Sequence, residues 1–307
     1  MLNLYPIVQK IAKPIFGLFL VFIGVLGVQS CENIHQNQGD EIETHDEYLV
    51  FQNQLFSIFE IIEEIADQTT PQGLPEHWKS PMLPKNIKIE KKDSSYLDGN
   101  GVEFEVDFGT WKNNIQLPLD LDGKVKAGKF KVRIDKFYQE IGSHMSVEFN
   151  GSEPFMIGDS SAPLTWMGEM EFIRMDFNLL KVTANSLQME VLNLKRTASC
   201  NLKIEKTSGM GTPGIFEDSY KVSGDVLANV DEDDLLKVTI NSPLVKRVEW
   251  GCSSSPLKGI LIIQGEKDEN KQGVTVDFDP FNNEACDDWV RLQFAGKTKD
   301  FKIPMNP

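Results

Sequence analysis

This chain is short of positive charge: 31 Lys and Arg stand against 46 Asp and Glu, a net charge of −15. So acidic a surface is repelled by phosphate backbones and by anionic lipid head groups, and nucleic acid is excluded as a partner. Histidine is scarce as well, and only His77 and His144 fall in the part expected to form the β body. Hydrolytic chemistry needs a base placed beside a nucleophile. Neither histidine has such a setting, and the chain contains no GxSxG elbow and no HExxH helix. No catalytic, cofactor-binding or metal-ligating residue is assigned on these grounds, and the chain reads as a non-enzyme. Carboxylates abound, so a hydrolase acting through a carboxylate pair stays open as an alternative.

Cysteine is the next scarcity, with four in 307 residues. The first of them has a distinctive setting. Lys10 and Lys13 precede an apolar run from Pro14 to Val28, and no acidic residue occurs before Glu32. That is a positive n-region followed by an h-region of signal-peptide length. A spanning helix needs about 20 apolar residues, and this run stops short at Gln29. Val28, Gln29 and Ser30 before Cys31 resemble the lipobox of bacterial lipoproteins: an aliphatic residue, a tolerant position, a small residue, then the acylated cysteine. Residues 1–30 are therefore expected to be a lipoprotein signal peptide, with Cys31 carrying the lipid that holds the mature chain on a membrane. Two or three acyl chains anchor stably where one does not. An uncleaved single-span anchor and a soluble secreted protein are the rival readings. Loss of the leader would take the net charge from −15 to −17, because it holds two lysines and no acid.

Outside the cytoplasm the remaining thiols, Cys200, Cys252 and Cys286, are expected to oxidise. Cys252 with Cys286 is the preferred disulfide, because the strands that flank them should be neighbours. Cys200 is then expected to be a buried free thiol, with intermolecular pairing as the alternative.

The organisation that follows is a tether, a helix and a β body. Residues 31–43, including the polar, aperiodic ENIHQNQGDEIE, are read as a flexible tether. Residues 44–68 form an amphipathic helix: Thr44 and Glu47 stand at capping-box spacing, and Tyr48, Phe51, Leu55, Ile58, Phe59, Ile62 and Ile65 recur at helical period. Gln54, Glu60, Glu63 and Glu64 occupy the opposite face. The apolar stripe is expected to pack on the protein's own sheet, since helices that lie on membranes favour Lys and Arg. Four prolines and Gly73 in residues 69–84 end the helix.

From 85 onward the hydrophobic period is two. Candidate strands are 86–91, 102–108, 124–135, 143–149, 167–177, 186–194, 201–206, 220–226, 235–241, 259–264, 273–278, 289–294 and 299–303, separated by turn signals such as Asp122-Gly123 and Asn150-Gly151. The expected fold is mainly β, an N-terminal helix followed by a long antiparallel β-meander over residues 69–307, as a twisted extended sheet or a sandwich. Val-Asp-Phe recurs within strands at 106–108 and 276–278, a weak hint of two similar halves.

Three further motifs each have a functional and a structural reading. Gly209-Met210-Gly211-Thr212-Pro213-Gly214 matches GxGxxG, but a strand pattern rather than a helix follows, so it is read as a mobile β–β loop. Asp120 and Asp122 imitate the start of a calcium loop that lacks its closing Glu. The run Asp231, Glu232, Asp233, Asp234 could chelate Ca²⁺ and is read as a solvated hairpin turn.

The C-terminal third resembles a group of Bacteroidota lipoproteins with no assigned activity. The features that carry the resemblance are Tyr220 to Gly224, Leu235 to Asn241, Pro243-Leu244, Cys252, Val276-Asp277-Phe278 and Cys286-Asp287. Upstream, the first Val-Asp-Phe-Gly and the hairpin carried by Asp122, Gly123, Lys124 and Gly128 are similar too. Thr110 and Trp111 stand where that group often has a cysteine, and Asp279-Pro280-Phe281 replaces its glycine-rich step. The resemblance implies a lipid-anchored, β-rich protein and supplies no catalytic residue. The expected role is binding or structural, in the cell envelope as an outer-membrane lipoprotein, with an unidentified protein or glycan as partner. Trp78, Trp111, Trp166, Trp250 and Trp289 are the candidate contacts for that role, most of them expected in the core because alternating strands bury aromatics. Surface carbohydrate binding is the alternative, which exposed coplanar Trp rings would favour.

Overall fold

The computed structural model describes residues 39–78, 87–114, 123–158, 163–191, 194–211, 214–231, 234–249, 252, 255–265 and 273–303. The chain divides into two compact units, Met1–His45 and Asp46–Pro307. Of the first, only the start of a helix is described. That helix, α1 (Gly39–Ala66), begins five residues before the expected Thr44. Thr44 therefore lies inside the helix rather than capping it, and residues 39–43 are helix rather than tether. Cys31 lies outside the described residues.

After α1 the chain is almost wholly strand: β1 (Lys88–Asp93), β2 (Val102–Asp107), a short α2 (Trp111–Asn114), β3 (Val125–Ala127), β4 (Lys129–Ile134), β5 (His144–Glu148), β6 (Phe155–Gly158), β7 (Leu164–Met167), β8 (Glu169–Asp176), β9 (Leu179–Val191), β10 (Leu194–Ser208), β11 (Ser219–Asp231), β12 (Asp234–Arg247), β13 (Lys258–Gly265), β14 (Val274–Asp277), β15 (Trp289–Phe294) and β16 (Lys297–Lys302). All sixteen belong to one antiparallel sheet that stays open, with β1 and β16 as its edges and β3, β6 and β7 as a side branch that joins at β9. This is the mainly β antiparallel meander that was expected, in one sheet. The expected strands omit β6 and β7 and cover only part of each of the long ribbons β9 to β12.

Alternation drives the sheet. Val102, Phe104 and Val106 of β2 are buried while the residues between them are not, and β4 and β8 behave alike. Phe108, Phe130, Phe149 and Phe155 meet at centroid distances of 5.3 to 5.9 Å and anchor one part of the core.

The Val-Asp-Phe echo has a structural meaning, and a third copy. In Val106-Asp107-Phe108, Val147-Glu148-Phe149 and Val276-Asp277-Phe278 the Val and Phe are buried. Each Phe N–H donates to the carbonyl of a glycine at the start of the neighbouring strand or just before it: Phe108 to Gly128 at 2.9 Å, Phe149 to Gly168 at 2.9 Å and Phe278 to Gly259 at 3.1 Å. All three glycines have positive φ. The motif is a way to end a strand while keeping its last aromatic inside, and it recurs because the meander meets the same problem repeatedly.

The connections β1–β2, β4–β5, β8–β9, β10–β11, β12–β13 and β14–β15 all turn at one end of the sheet, as the antiparallel registers require. The C-terminus of α1 reaches this same end.

Gly128 gives a test of this design. Its φ is +78°, and an added Cβ would land on the Pro154 carbonyl oxygen. Gly128→Ala should therefore cost about 2 kcal/mol or more, read as a lower urea midpoint. Gly123→Ala, whose Cβ would meet nothing within 4 Å, should cost less.

Candidate functional site: the helix exit and the disulfide-bearing end

The polar face of α1 is not solvated. Every residue from Tyr48 to Ala66 is buried, including Gln54, Glu60, Glu63 and Glu64. The apolar stripe packs on the sheet as expected: Phe51 stacks on Trp166 at 5.4 Å, and Phe59 meets Phe172 and Tyr220. The acidic face is covered as well, because the body supplies a partner for each carboxylate. A buried carboxylate without a partner costs several kcal/mol, so the sheet can enclose this face only by bringing cations and amides to it.

Glu60 takes Lys246 of β12 at 2.7 Å. Glu63 accepts the Tyr138 hydroxyl and lies 3.6 Å from Arg174, whose guanidinium sits 4.5 Å over the Tyr138 ring and donates to the Tyr138 carbonyl. Asp67 accepts from Gln139 at 3.0 Å and from the Gly214 amide at 3.2 Å, with Lys206 at 4.0 Å. Lys206 pairs more closely with the enclosed Asp218, at 2.6 Å, and Asp218 also accepts the Tyr220 hydroxyl at 2.9 Å. Burial pushes the Glu63 and Asp218 carboxyls above their usual range, opposed by Arg174 and Lys206 respectively. It also pushes the Tyr138 and Tyr220 hydroxyls well up, so both phenols remain protonated donors.

The GxGxxG motif belongs to this network. It lies in the β10–β11 connection, where the Gly214 amide serves Asp67 and the Ile215 amide donates to Glu64 at 2.7 Å. Gly214 has φ +83°, and an added Cβ would press on the Glu64 carboxylate. The amides thus cradle carboxylates of the protein's own helix. The physical logic is that of a phosphate loop, and the anion is internal.

At the same end of the sheet, Cys252 and Cys286 form the expected disulfide, with Cα atoms 4.9 Å apart. Cys252 stands before β13 and Cys286 before β15, and both strands lie next to β14. Glu249 Oε1 lies 3.8 Å from Cys286 Sγ. Those three residues could group as metal ligands, but both sulfurs are consumed in the disulfide. Cys200, on β10, is free and buried, as expected, and burial pushes its thiol up to about 11.

The other candidates separate. Trp166 is fully buried, and Trp78 donates to the Ile65 carbonyl and packs against Phe104. Trp111 is half-buried on α2. Trp289 is exposed beside Phe281 at 6.3 Å, the rings 73° apart, which is an edge contact rather than a coplanar platform. His77 and His144 stand 3.9 Å from Glu76 and Glu171 in exposed pairs. Asp231 and Asp234 face each other across the β11–β12 hairpin, and the side chains of Asp231 to Asp234 lie outside the described residues, as do Asp120, Asp122 and Trp250. No known protein family matches the chain, and neither curated proteins nor solved structures gave a match.

Two measurements probe the site. Lys206→Met strands Asp218 and weakens the hold on Asp67, and should destabilise the protein by about 3 kcal/mol, as removal of one member of a buried pair does. Adding Asp218→Asn should return part of that loss in urea unfolding. Cys200 should resist alkylation at pH 8 in the folded protein, since a thiol at about 11 is about one part in a thousand thiolate there. The unfolded thiol ionises near 8.5, so the Cys200 contribution to stability should fall as pH rises from about 8.5 toward 11. A Cys200→Ala variant should flatten that part of the profile.

Proposed function

We propose that this chain is a lipid-anchored protein of the bacterial cell envelope, an outer-membrane lipoprotein whose β body has a binding or structural role and no catalytic one. The observation that carries this is the order of residues at the N-terminus: Lys10 and Lys13, the apolar run Pro14 to Val28, then Val28-Gln29-Ser30-Cys31. Cys31 accepts the lipid. The Cys252–Cys286 disulfide fits an oxidising compartment, and its loop of 34 residues would stabilise the fold by about 4 kcal/mol in the chain-entropy model. Among the described residues, no helix is long and apolar enough to cross a membrane.

The same reading gives α1 a mechanical role. It is the first element of the body after the anchor, so a pull on the lipid would load this helix. The pairs Glu60–Lys246 and Glu63–Arg174 grip it laterally, and extraction would have to expose all of these charges together.

Acylation decides the anchor. The wild-type chain should incorporate labelled palmitate and fractionate with membranes, and Cys31→Ser should lose the label. Label retained by Cys31→Ser, or none in the wild type, would overturn the assignment. Protease shaving of intact cells distinguishes the outer surface from the periplasm.

A further inference from the structure

The large apolar side chains that the fold leaves most exposed are not scattered. Leu97 is 80 % exposed, Phe177 61 %, Ile141 58 %, Met175 52 %, Phe281 51 % and Met210 47 %. Met175 lies near the end of β8; the other five, in sheet order Leu97, Ile141, Phe177, Met210 and Phe281, occupy the β1–β2, β4–β5, β8–β9, β10–β11 and β14–β15 connections. These are five of the six connections at the end where α1 exits, one residue to each turn. The sixth, β12–β13, contains Trp250. The Gly142 amide donates to the Arg174 carbonyl at 2.7 Å, which sets Ile141 beside exposed Met175 and the Phe177 turn. Among the described residues, the large apolar side chains exposed toward the other end of the sheet are Leu227, at 40 %, and Leu235 and Phe294, at 38 %. Hairpin tips are normally polar, and an apolar row at one end marks a contact surface.

The charge around this row selects the kind of partner. Asp98, Asp135, Asp176 and Glu217 are exposed on the same turns, while Lys136, Arg247 and Lys258 are already paired with Glu140, Glu249 and Glu284 at 3.0, 3.4 and 2.6 Å. The negative end of the α1 dipole points the same way. We infer that the row Leu97, Ile141, Phe177, Met210 and Phe281 is a docking edge for a basic amphipathic segment of a partner protein, whose apolar side chains seat between the tips and whose Lys and Arg meet the acidic rim. A second copy of this chain would bring acid to acid, and an anionic bilayer would be repelled. The inference deepens the binding reading above. It fails separately from the anchor, since acylation of Cys31 does not depend on the tips.

The test titrates the full chain, as cells process it, with a labelled Leu/Lys amphipathic helix of about 18 residues, with a Leu/Glu counterpart, and with phosphatidylcholine vesicles. The wild type should bind the Leu/Lys peptide, lose affinity in high salt, and ignore the Leu/Glu peptide. The combined variant Leu97→Ser, Ile141→Ser, Phe177→Ser and Phe281→Ser should bind it at least about tenfold more weakly. Should that variant lose its cooperative melt, Leu97→Ser and Phe177→Ser singly, at the two barest positions, carry the comparison. No binding by the wild type, equal binding by the variants, equal binding of the Leu/Glu peptide, or capture of the vesicles through these same residues would each overturn the assignment.

Discussion

The acidic face of α1 is the constraint on which the rest depends. A helix that carries Glu60, Glu63, Glu64 and Asp67 into an interior demands a donor for every carboxylate, and a sheet with only alternating apolar residues could not enclose it. Lys246, Arg174, Lys206, Tyr138 and the Gly214–Ile215 amides meet that demand from β12, β8, β10 and two connections. They are spread widely along the chain, so the helix can be fully enclosed only after most of the meander has formed. Buried pairs of this kind add little net stability over an apolar packing, and they define one register for the helix because each mismatch strands a charge.

That distribution explains what the sequence disclosed and what it hid. The apolar stripe of α1 and most strands were legible because their periods are local. The disulfide was legible because Cys252 and Cys286 each precede a strand next to β14. The burial of the acidic face was not, since Glu60 and Glu63 look solvated until Lys246 and Arg174 arrive from more than a hundred residues away. β6 and β7 are four residues each, too short to show a period, and the stretch between them, Gly158 to Pro163, has the composition of a loop. The third Val-x-Phe copy went unseen because Glu148 replaces the aspartate, although the buried Val and Phe and the glycine partner are unchanged.

GxGxxG shows that a glycine-rich segment can serve the protein's own anions. β11 rather than a helix follows it, and at its end the Gly214 and Ile215 amides reach Asp67 and Glu64 of the helix exit. A glycine-rich turn exposes backbone donors wherever it lies. What it cradles is settled by the nearest anion, and here Glu64 and Asp67 are already in place.

The connections at the helix exit therefore have two sides. Inward, Tyr138, Gln139, Lys206, Ile215 and Asp218 fasten α1 or its partners; outward, Ile141, Phe177 and Met210 stand bare on the same or adjoining turns. A ligand that braces these turns from outside would also hold the donors that keep the helix acids satisfied. By linkage, binding at the tips and retention of α1 would then support one another, since both draw on the same few ordered turns. Under the lipid anchor proposed at Cys31, that coupling would make a docked partner strengthen the attachment of the body to its anchor.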